Sequence, residues 1–288
     1  MSGAEEQPRI GYIGLGNMGA PMAKRLVEWP GGLTIFDLRT EAMTPLAEAG
    51  ANVAGSVAEV GANADIISIT VLDDAQVRQV IAELVPTAKP GTVIAIHSTI
   101  ADTTAAELAA ELKHHDLHVV DAPVSGGAGA AEKGQLATMV GADRAVYEQI
   151  KPAFKQWASL VIHAGEPGAG TRMKLARNML TFTGYAAAGE AMRLAEAAGL
   201  DLQALGRVVR HTDALTGGPG VIMLLESTAP MGPDHFLRDA FTHTRGLGEK
   251  DLRLALGLGE VTGVDLPLAQ IALDHLGAAL GVPHTTAD

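Results

Sequence analysis

Cysteine is absent from the 288-residue chain, so disulfide bonds, thiolate chemistry and cysteine-held metal are excluded, and nothing points to an oxidising compartment. Aromatic residues are few, with two Trp, three Tyr and five Phe, which leaves recognition to polar and backbone contacts more than to ring stacking. Positive charge is also short. Lys and Arg number 21 against 33 Asp and Glu, for a formal net charge of -12, whereas a duplex nucleic acid partner needs clustered cations. Nucleic acid binding is therefore not expected. No uninterrupted run of about 18 apolar residues occurs, so no membrane-spanning helix is expected. The opening MSGAEEQPR places Glu5 and Glu6 where a secretory signal carries positive charge. A cytoplasmic protein is the expectation.

Apolar residues make up 47% of the chain and charged residues 19%, and glycine alone contributes 34 residues. That balance belongs to compact folded domains, and the length suits one large or two modest ones. From Arg9 to about His163, short β-branched runs alternate with alanine-rich stretches. RIGYIGL, LTIFDL, DIISITVL, TVIAIHST, HVVDAPV and LVIHAG are the strand candidates. Strands interleaved with helices predict right-handed βαβ units and a doubly wound, mostly parallel sheet. After Gly165 the β-branched runs largely stop and Ala, Leu, Met and Arg dominate. The expected division is an α/β domain over residues 1–164 and an all-helical domain over residues 165–288.

Residues 168–198 are expected to form one helix of about 45 Å, at 1.5 Å rise per residue, ended by Gly199 in the left-handed conformation. Its apolar character on nearly every face suits burial between domains or subunits, so a homodimer or tetramer is expected. Further helices are expected near residues 201–211, 220–226, 250–259 and 267–281, with Gly217 to Gly220 as a loop.

The segment IGYIGLGNMGAPMAKRL, Ile10 to Leu26, carries an apolar strand into Gly14, Gly16 and Gly19 and then into a helix. Gly14 suits a tight turn, Gly16 close approach of backbone to a pyrophosphate, and Gly19 the packing of helix on strand. Leu15, Asn17 and Met18 complete this loop, and the helix N-terminus offers N–H groups to phosphate. Asp37 ends the second strand, where a carboxylate binds ribose hydroxyls and repels a 2′-phosphate, favouring NAD over NADP. Arg39 keeps NADP open: it can pair with a 2′-phosphate, stack on adenine, or be a solvated loop cation.

In DAPVSGGAGAAEKGQLATMVGA, Ser125, Gly126 and Gly127 follow a strand end, where open α/β sheets bind ligands. Consecutive small residues there turn N–H groups toward an anion, so a small-molecule carboxylate substrate is expected; the plain alternative is an ordinary turn. In GAGTRMKLARNML, Lys174 and Asn178 share a helix face. A desolvated lysine suits proton transfer to or from a substrate oxygen, whereas a lysine snorkelling to water would be inert. Arg172 and Arg177 flank it. The ten histidines are scattered without metal-ligand spacing, so no metal is expected, and His211 and His243 read as structural or pocket-edge residues.

Together these segments resemble the β-hydroxyacid dehydrogenase family, which is 3-hydroxyisobutyrate dehydrogenase-like and related to the N-terminal domain of 6-phosphogluconate dehydrogenase. The likeness spans most of the chain: the glycine fingerprint at Gly14 to Gly19, DxPVSGG at Asp121 to Gly127, GxGxxxK at Gly168 to Lys174, and KDLxLA at Lys250 to Ala255. The resemblance implies a Rossmann-type domain followed by a helical one, and NAD(P)-dependent hydride transfer between nicotinamide and a short 3-hydroxy acid or its semialdehyde. It implies Lys174 as general acid/base, Ser125, Gly126, Gly127 and Asn178 around the substrate, and a site in the interdomain cleft. For the cofactor it implies Leu72, Asp73, Val77, Thr99 and Lys250 besides the loop, Asp37 and Arg39. The chain departs from the family's pattern at Arg177, where an asparagine is usual, and at His243, where phenylalanine is usual. An imine reductase and a non-catalytic dinucleotide-binding module are the rival readings; Lys174 with an intact PVSGG stands against the first, and Lys174 against the second.

Overall fold

The structure, a computed structural model, describes residues 7–224 and 228–284. It divides into two compact units, Met1–Asn178 and Met179–Asp288. The first begins β1 (Ile10–Ile13), α1 (Gly19–Lys24), β2 (Leu33–Phe36), α2 (Thr40–Glu48), β3 (Asn52–Val53) and α3 (Val57–Asn63). It continues with β4 (Ile66–Ile69), α4 (Asp74–Leu84), β5 (Val93–Ile96), α5 (Thr104–Leu112) and β6 (His118–Asp121). Then come β7 (Val124–Ser125), α6 (Ala128–Glu132), β8 (Leu136–Gly141), α7 (Arg144–Phe154) and β9 (Ala158–Gly165). α8 (Ala169–Ala197) starts in this unit and runs into the second.

The strands order as β3-β2-β1-β4-β5-β6-β8-β7, with β9 beside β8. All pairs from β3 to β6 are parallel, with Ile10 opposite both Leu33 and Ile66. The chain leaves β1 on one side and returns on the other at β4, which is the Rossmann order and puts a crevice at the carboxyl ends of β1 and β4. Alternate residues feed two cores, one on each face of the sheet. Ile10, Tyr12, Ile66, Val93 and Ala95 pack with Met22, Phe154 and Trp157, while Ile13, Ile67, Ile69, Ile94 and Ile96 pack with Val77, Ile81 and Leu84.

Three differences from the expected strands have local causes. HVVDAPV is broken because Pro123 has no N–H to donate, so β6 stops at Asp121 and β7 pairs antiparallel with β8. LATMVG forms the six-residue β8, which its Ala, Met and Gly content conceals; it is held by β9 on one side and by β6 and β7 on the other. β3 is two exposed residues and carries no apolar signal.

The second unit holds the rest of α8, α9 (Leu202–Thr216), α10 (Arg238–Thr262) and α11 (Pro267–Ala279). α9 starts where Asp201 caps the Gln203 N–H at 2.8 Å, and it extends past the expected end to Gly217, left-handed at φ 84°. A 3-10 helix, Gly218–Leu224, replaces the loop and α-helix expected there, and Glu226 lies outside the described residues. α10 is much longer than expected because Gly246, Gly248 and Gly257 pass as helix interior. A Cβ at Gly248 would stand 2.7 Å from Leu276 of α11, so this glycine is what lets the two helices approach. The buried Glu190 carboxylate of α8 accepts the Leu268 and Ala269 N–H groups at 2.9 and 3.2 Å, capping α11. In the single chain Met179, Phe182 and Tyr185 of α8 are exposed, on the helix expected to be buried between domains or subunits. No described helix is long and apolar enough to cross a membrane.

His97, just past β5, is buried. Its Nδ1–H donates to the Ala122 carbonyl at 2.8 Å, so Nε2 is the acceptor for the Ser68 hydroxyl at 3.0 Å. Tyr12, Phe154 and Trp157 surround the ring. Burial pushes its pKa down to about 4. Below pH 6.5 the unfolded chain takes up a proton that the folded one refuses, so stability is lost as pH falls from 6.5 toward 4, by about 3 kcal/mol in all. Urea unfolding at pH 7, 6 and 5 is expected to show this decline, and His97→Asn to remove that part of the slope. An unchanged slope in the variant would refute the assignment.

Candidate active site

The loop after β1 is shaped by two glycines that have no room and one that has nothing but room. Gly14 sits at φ 90°, donates its N–H to Phe36 at 3.0 Å, and has the Thr70 carbonyl where a Cβ would stand. At Gly19 a Cβ would strike the Gly14 carbonyl, so α1 can start only this close to β1 because the side chain is missing. Gly16 has no atom within 4 Å of its Cβ position. Asn17 is exposed, Met18 packs partly on the core and Leu15 is buried in it.

Asp37 stands at the end of β2 beside this loop. Its Oδ2 accepts the Leu15 N–H at 2.7 Å, and its Oδ1 accepts the Arg39 N–H at 2.9 Å and Nε–H at 3.2 Å. Partial burial works to raise its pKa, but the Arg39 and Leu15 N–H groups and the Arg39 guanidinium together hold the carboxyl below its usual range. A carboxylate anchored to the loop beside open space at Gly16 fits a dinucleotide.

The neighbouring strand ends are tied by Ser98, which sequence reasoning did not single out. Its hydroxyl donates to the Val71 carbonyl at 2.6 Å and accepts the Val71 N–H at 2.9 Å, clamping the end of β4 to the end of β5. Leu72 follows, exposed, with its N–H held by Gln76, and Asp73 caps α4 through the Gln76 N–H at 2.9 Å. Thr99 is exposed on the next loop. Val77 lies fully buried in the core under this edge, its side chain away from the surface.

At the other end of the sheet edge, Asp121 is wholly buried, and its carboxylate accepts the Gly168 N–H at 2.6 Å and the Thr171 N–H at 2.5 Å. These are N–H groups that the first turn of α8 cannot satisfy itself. A Cβ at Gly170 would strike the Met139 carbonyl, and one at Gly141 the Asp121 carboxylate, so both glycines are conditions of this docking. The signal for Asp121 in the sequence was a lone carboxylate ending a buried strand, which must find donors.

One turn into α8, Lys174 is buried and donates from Nζ to the Val124 carbonyl at 2.7 Å. Ser125 is the next residue, followed by Gly126 and Gly127 at φ 135° and 76°, both exposed. The fold thus brings Lys174 to the SGG turn across 50 residues of sequence. Burial pushes the Lys174 pKa down, and the Arg177 charge lowers it further. Asn178 lies one turn beyond, half-buried. Lys250 belongs to the second unit, exposed on α10 with Asp251 at 3.2 Å. His211 and His243 are exposed, and no group of three or more His, Asp or Glu among the described residues could hold a metal ion.

Sheet order and anchored glycine loop are those of a dinucleotide-binding protein of the Rossmann class, and known proteins narrow the class. Residues 9–165 match the NAD binding domain of 6-phosphogluconate dehydrogenase. Residues 168–288 match the NAD-binding region of NADP-dependent 3-hydroxyisobutyrate dehydrogenase. An uncharacterized oxidoreductase of Mycobacterium tuberculosis is 68% identical, the match covering 99% of this chain and 97% of that one. An oxidoreductase crystal structure from Mycobacterium avium 104 is 74% identical, with TM-score 0.94 over 96% of this chain and 100% of its own. The 3-hydroxyisobutyrate dehydrogenase of M. tuberculosis, solved with L-serine, is 32% identical, with TM-score 0.67 over 96% of both chains. The chain belongs to the β-hydroxyacid dehydrogenase family and is an NAD-binding oxidoreductase of the hydroxyacid type.

The glycine geometry separates binding from folding. Gly16→Ala meets open space and is expected to leave the melting temperature unchanged while weakening NADH binding at least about tenfold, as a methyl in a pyrophosphate contact would. Gly19→Ala must push against the Gly14 carbonyl and is expected to cost about 1–3 kcal/mol of stability. Thermal melts and NADH fluorescence titration check both, and equal effects of the two variants on stability would contradict the geometry.

Proposed function

We propose that this chain oxidises a short 3-hydroxy acid to the corresponding semialdehyde, or runs the reverse reduction, with Lys174 as general acid/base and NAD preferred to NADP. The observation that carries this reading is the buried Lys174 amine, 2.7 Å from the Val124 carbonyl and one peptide from the SGG turn. A relative in the same family is solved with L-serine, itself a short 3-hydroxy acid, which supports the substrate class.

The cofactor would be held by Gly14, Leu15, Gly16, Asn17, Met18 and Gly19, by Asp37 and Arg39, and by the edge formed by Leu72, Asp73 and Thr99, while Val77, buried beneath that edge, supports it from the core and does not line it. Bound nicotinamide supplies the hydride acceptor in oxidation and, reduced, the donor in reduction. The preference for NAD follows from Asp37, whose ionised carboxyl faces repulsion from a 2′-phosphate while its Oδ1 already engages Arg39. Ser125, Gly126 and Gly127 bind the substrate carboxylate through a turn that only glycine enters cheaply at positive φ. Asn178 orients the reacting oxygen.

Lys174 must be neutral to accept the hydroxyl proton. Its bond to the Val124 carbonyl uses one N–H and leaves the lone pair for the substrate. Burial and the Arg177 charge both favour that neutral form, so the amine is poised nearer neutrality than a solvated lysine. Oxidation then rises with pH through the Lys174 pKa, and reduction draws on the protonated amine.

The exposed apolar side chains of α8, Met179, Phe182 and Tyr185, support a homodimer or tetramer. The functional division at 164/165 separates a cofactor domain from a helical one.

Lys174→Met is expected to leave NADH binding nearly intact and to lower turnover at least about a hundredfold on whichever hydroxy acid the wild type oxidises. A panel of short hydroxy acids and semialdehydes, followed by nicotinamide absorbance with NAD and NADP, checks this. Undiminished turnover in the variant overturns the lysine assignment, and NADH binding without turnover of any member overturns the enzyme reading. Light scattering that finds a stable monomer overturns the oligomer.

A further inference from the structure

One turn beyond Lys174, α8 carries Arg177 and Asn178, and residues three and four apart on a helix lie on one face. A guanidinium has N–H donors and no acceptor, so the group that Arg177 Nη1 meets at 3.3 Å is the Asn178 amide oxygen, Oδ1. The contact fixes which way the amide is turned. Its oxygen is toward the arginine and its Nδ2 donors are on the side away from it. With its oxygen engaged by the arginine, the amide keeps its Nδ2 donors for another partner.

We propose that Arg177 is a positioning residue of this site: it holds the Asn178 amide in its donating orientation and places a fixed positive charge on the face of α8 that carries Lys174. The proposal rests on Lys174 being the acid/base group. The groups around that amine leave Arg177 as the source of the charge. β7 presents the uncharged Val124 carbonyl, and β6 ends in the anionic Asp121, whose oxygens accept the Gly168 and Thr171 N–H groups and whose charge could only raise the amine's pKa. Arg172, two residues before Lys174, leans back toward Gly168 on another side of the helix. Arg177 therefore adds to burial, the larger cause of the lowered pKa of the amine, in biasing Lys174 toward its neutral form. Where the family's pattern has asparagine, this chain thus has a cation that acts on both neighbouring site residues.

The test titrates the amine itself in the full chain, by the 13Cε resonance of labelled lysine, with Lys174→Met identifying the signal. In the wild type Lys174 is expected to titrate below the exposed lysines. Arg177→Gln and Arg177→Met should each raise its midpoint by about half a unit or more, and Arg177→Lys, which keeps the charge, by less than about 0.2 unit. With substrate, Arg177→Gln should lower kcat roughly fivefold to tenfold, the scale of one lost hydrogen bond, with a smaller change in KM, and move the rising limb of the pH profile to higher pH. A midpoint that stays put in Arg177→Gln or Arg177→Met overturns the proposal, even if turnover falls. So does a wild-type Lys174 that titrates with the exposed lysines. Full turnover by Lys174→Met refutes the acid/base reading instead, in an assay independent of the titration.

Discussion

A carboxylate with no exposed surface sits at the end of β6, and the Gly168 and Thr171 N–H groups at the start of α8 point into it. Each side of this contact would be costly alone. An isolated buried carboxylate is strongly disfavoured, and so are unbonded N–H groups at a buried helix start. Together they are satisfied, and the helix dipole adds to the attraction. The consequences run outward from Asp121. Gly170 and Gly141 have to lack side chains, α8 has to leave the sheet in one direction, and Lys174 one turn later has to arrive at the Val124 carbonyl beside the SGG turn. Lys174 is thus positioned by rigid elements, strand on one side and helix on the other, and not by a loop.

The dinucleotide edge is organised in the same way. Asp37 anchors the glycine loop through the Leu15 N–H, and Ser98 clamps two strand ends through Val71. Polar side chains at strand ends complete the hydrogen bonding of backbone that the sheet ladder cannot reach. The second unit uses the device again, where buried Glu190 caps α11 through Leu268 and Ala269. In a chain with few aromatics and no cysteine, buried acids at helix starts take on the task of locking elements together.

The same economy explains the glycines. Gly14, Gly19, Gly141, Gly170 and Gly248 are places where backbone or side chains of another element occupy the Cβ position. Gly16 is the opposite case, open toward solvent and therefore available to a ligand. A glycine count does not distinguish these roles, because the residue looks the same whether its missing side chain admits protein or cofactor.

The βαβ alternation, the glycine loop with Asp37 and the long helix ending at Gly199 were legible in the sequence, since each depends on periodicity or on spacing within about 25 residues. β8 was not legible, because its Ala, Met and Gly become a strand only by pairing on both sides. The length of α10 was hidden by glycines that serve its packing on α11. The sequence by itself determined that a Rossmann domain with an anchored glycine loop precedes a helical half, because hydrophobic period and turn chemistry are local. Only the tertiary structure decided that Asp121 is the cap of α8 and that Lys174 meets Val124 across 50 residues. Those contacts depend on where two elements cross, and on which atoms burial leaves without water, and neither is written in any one segment.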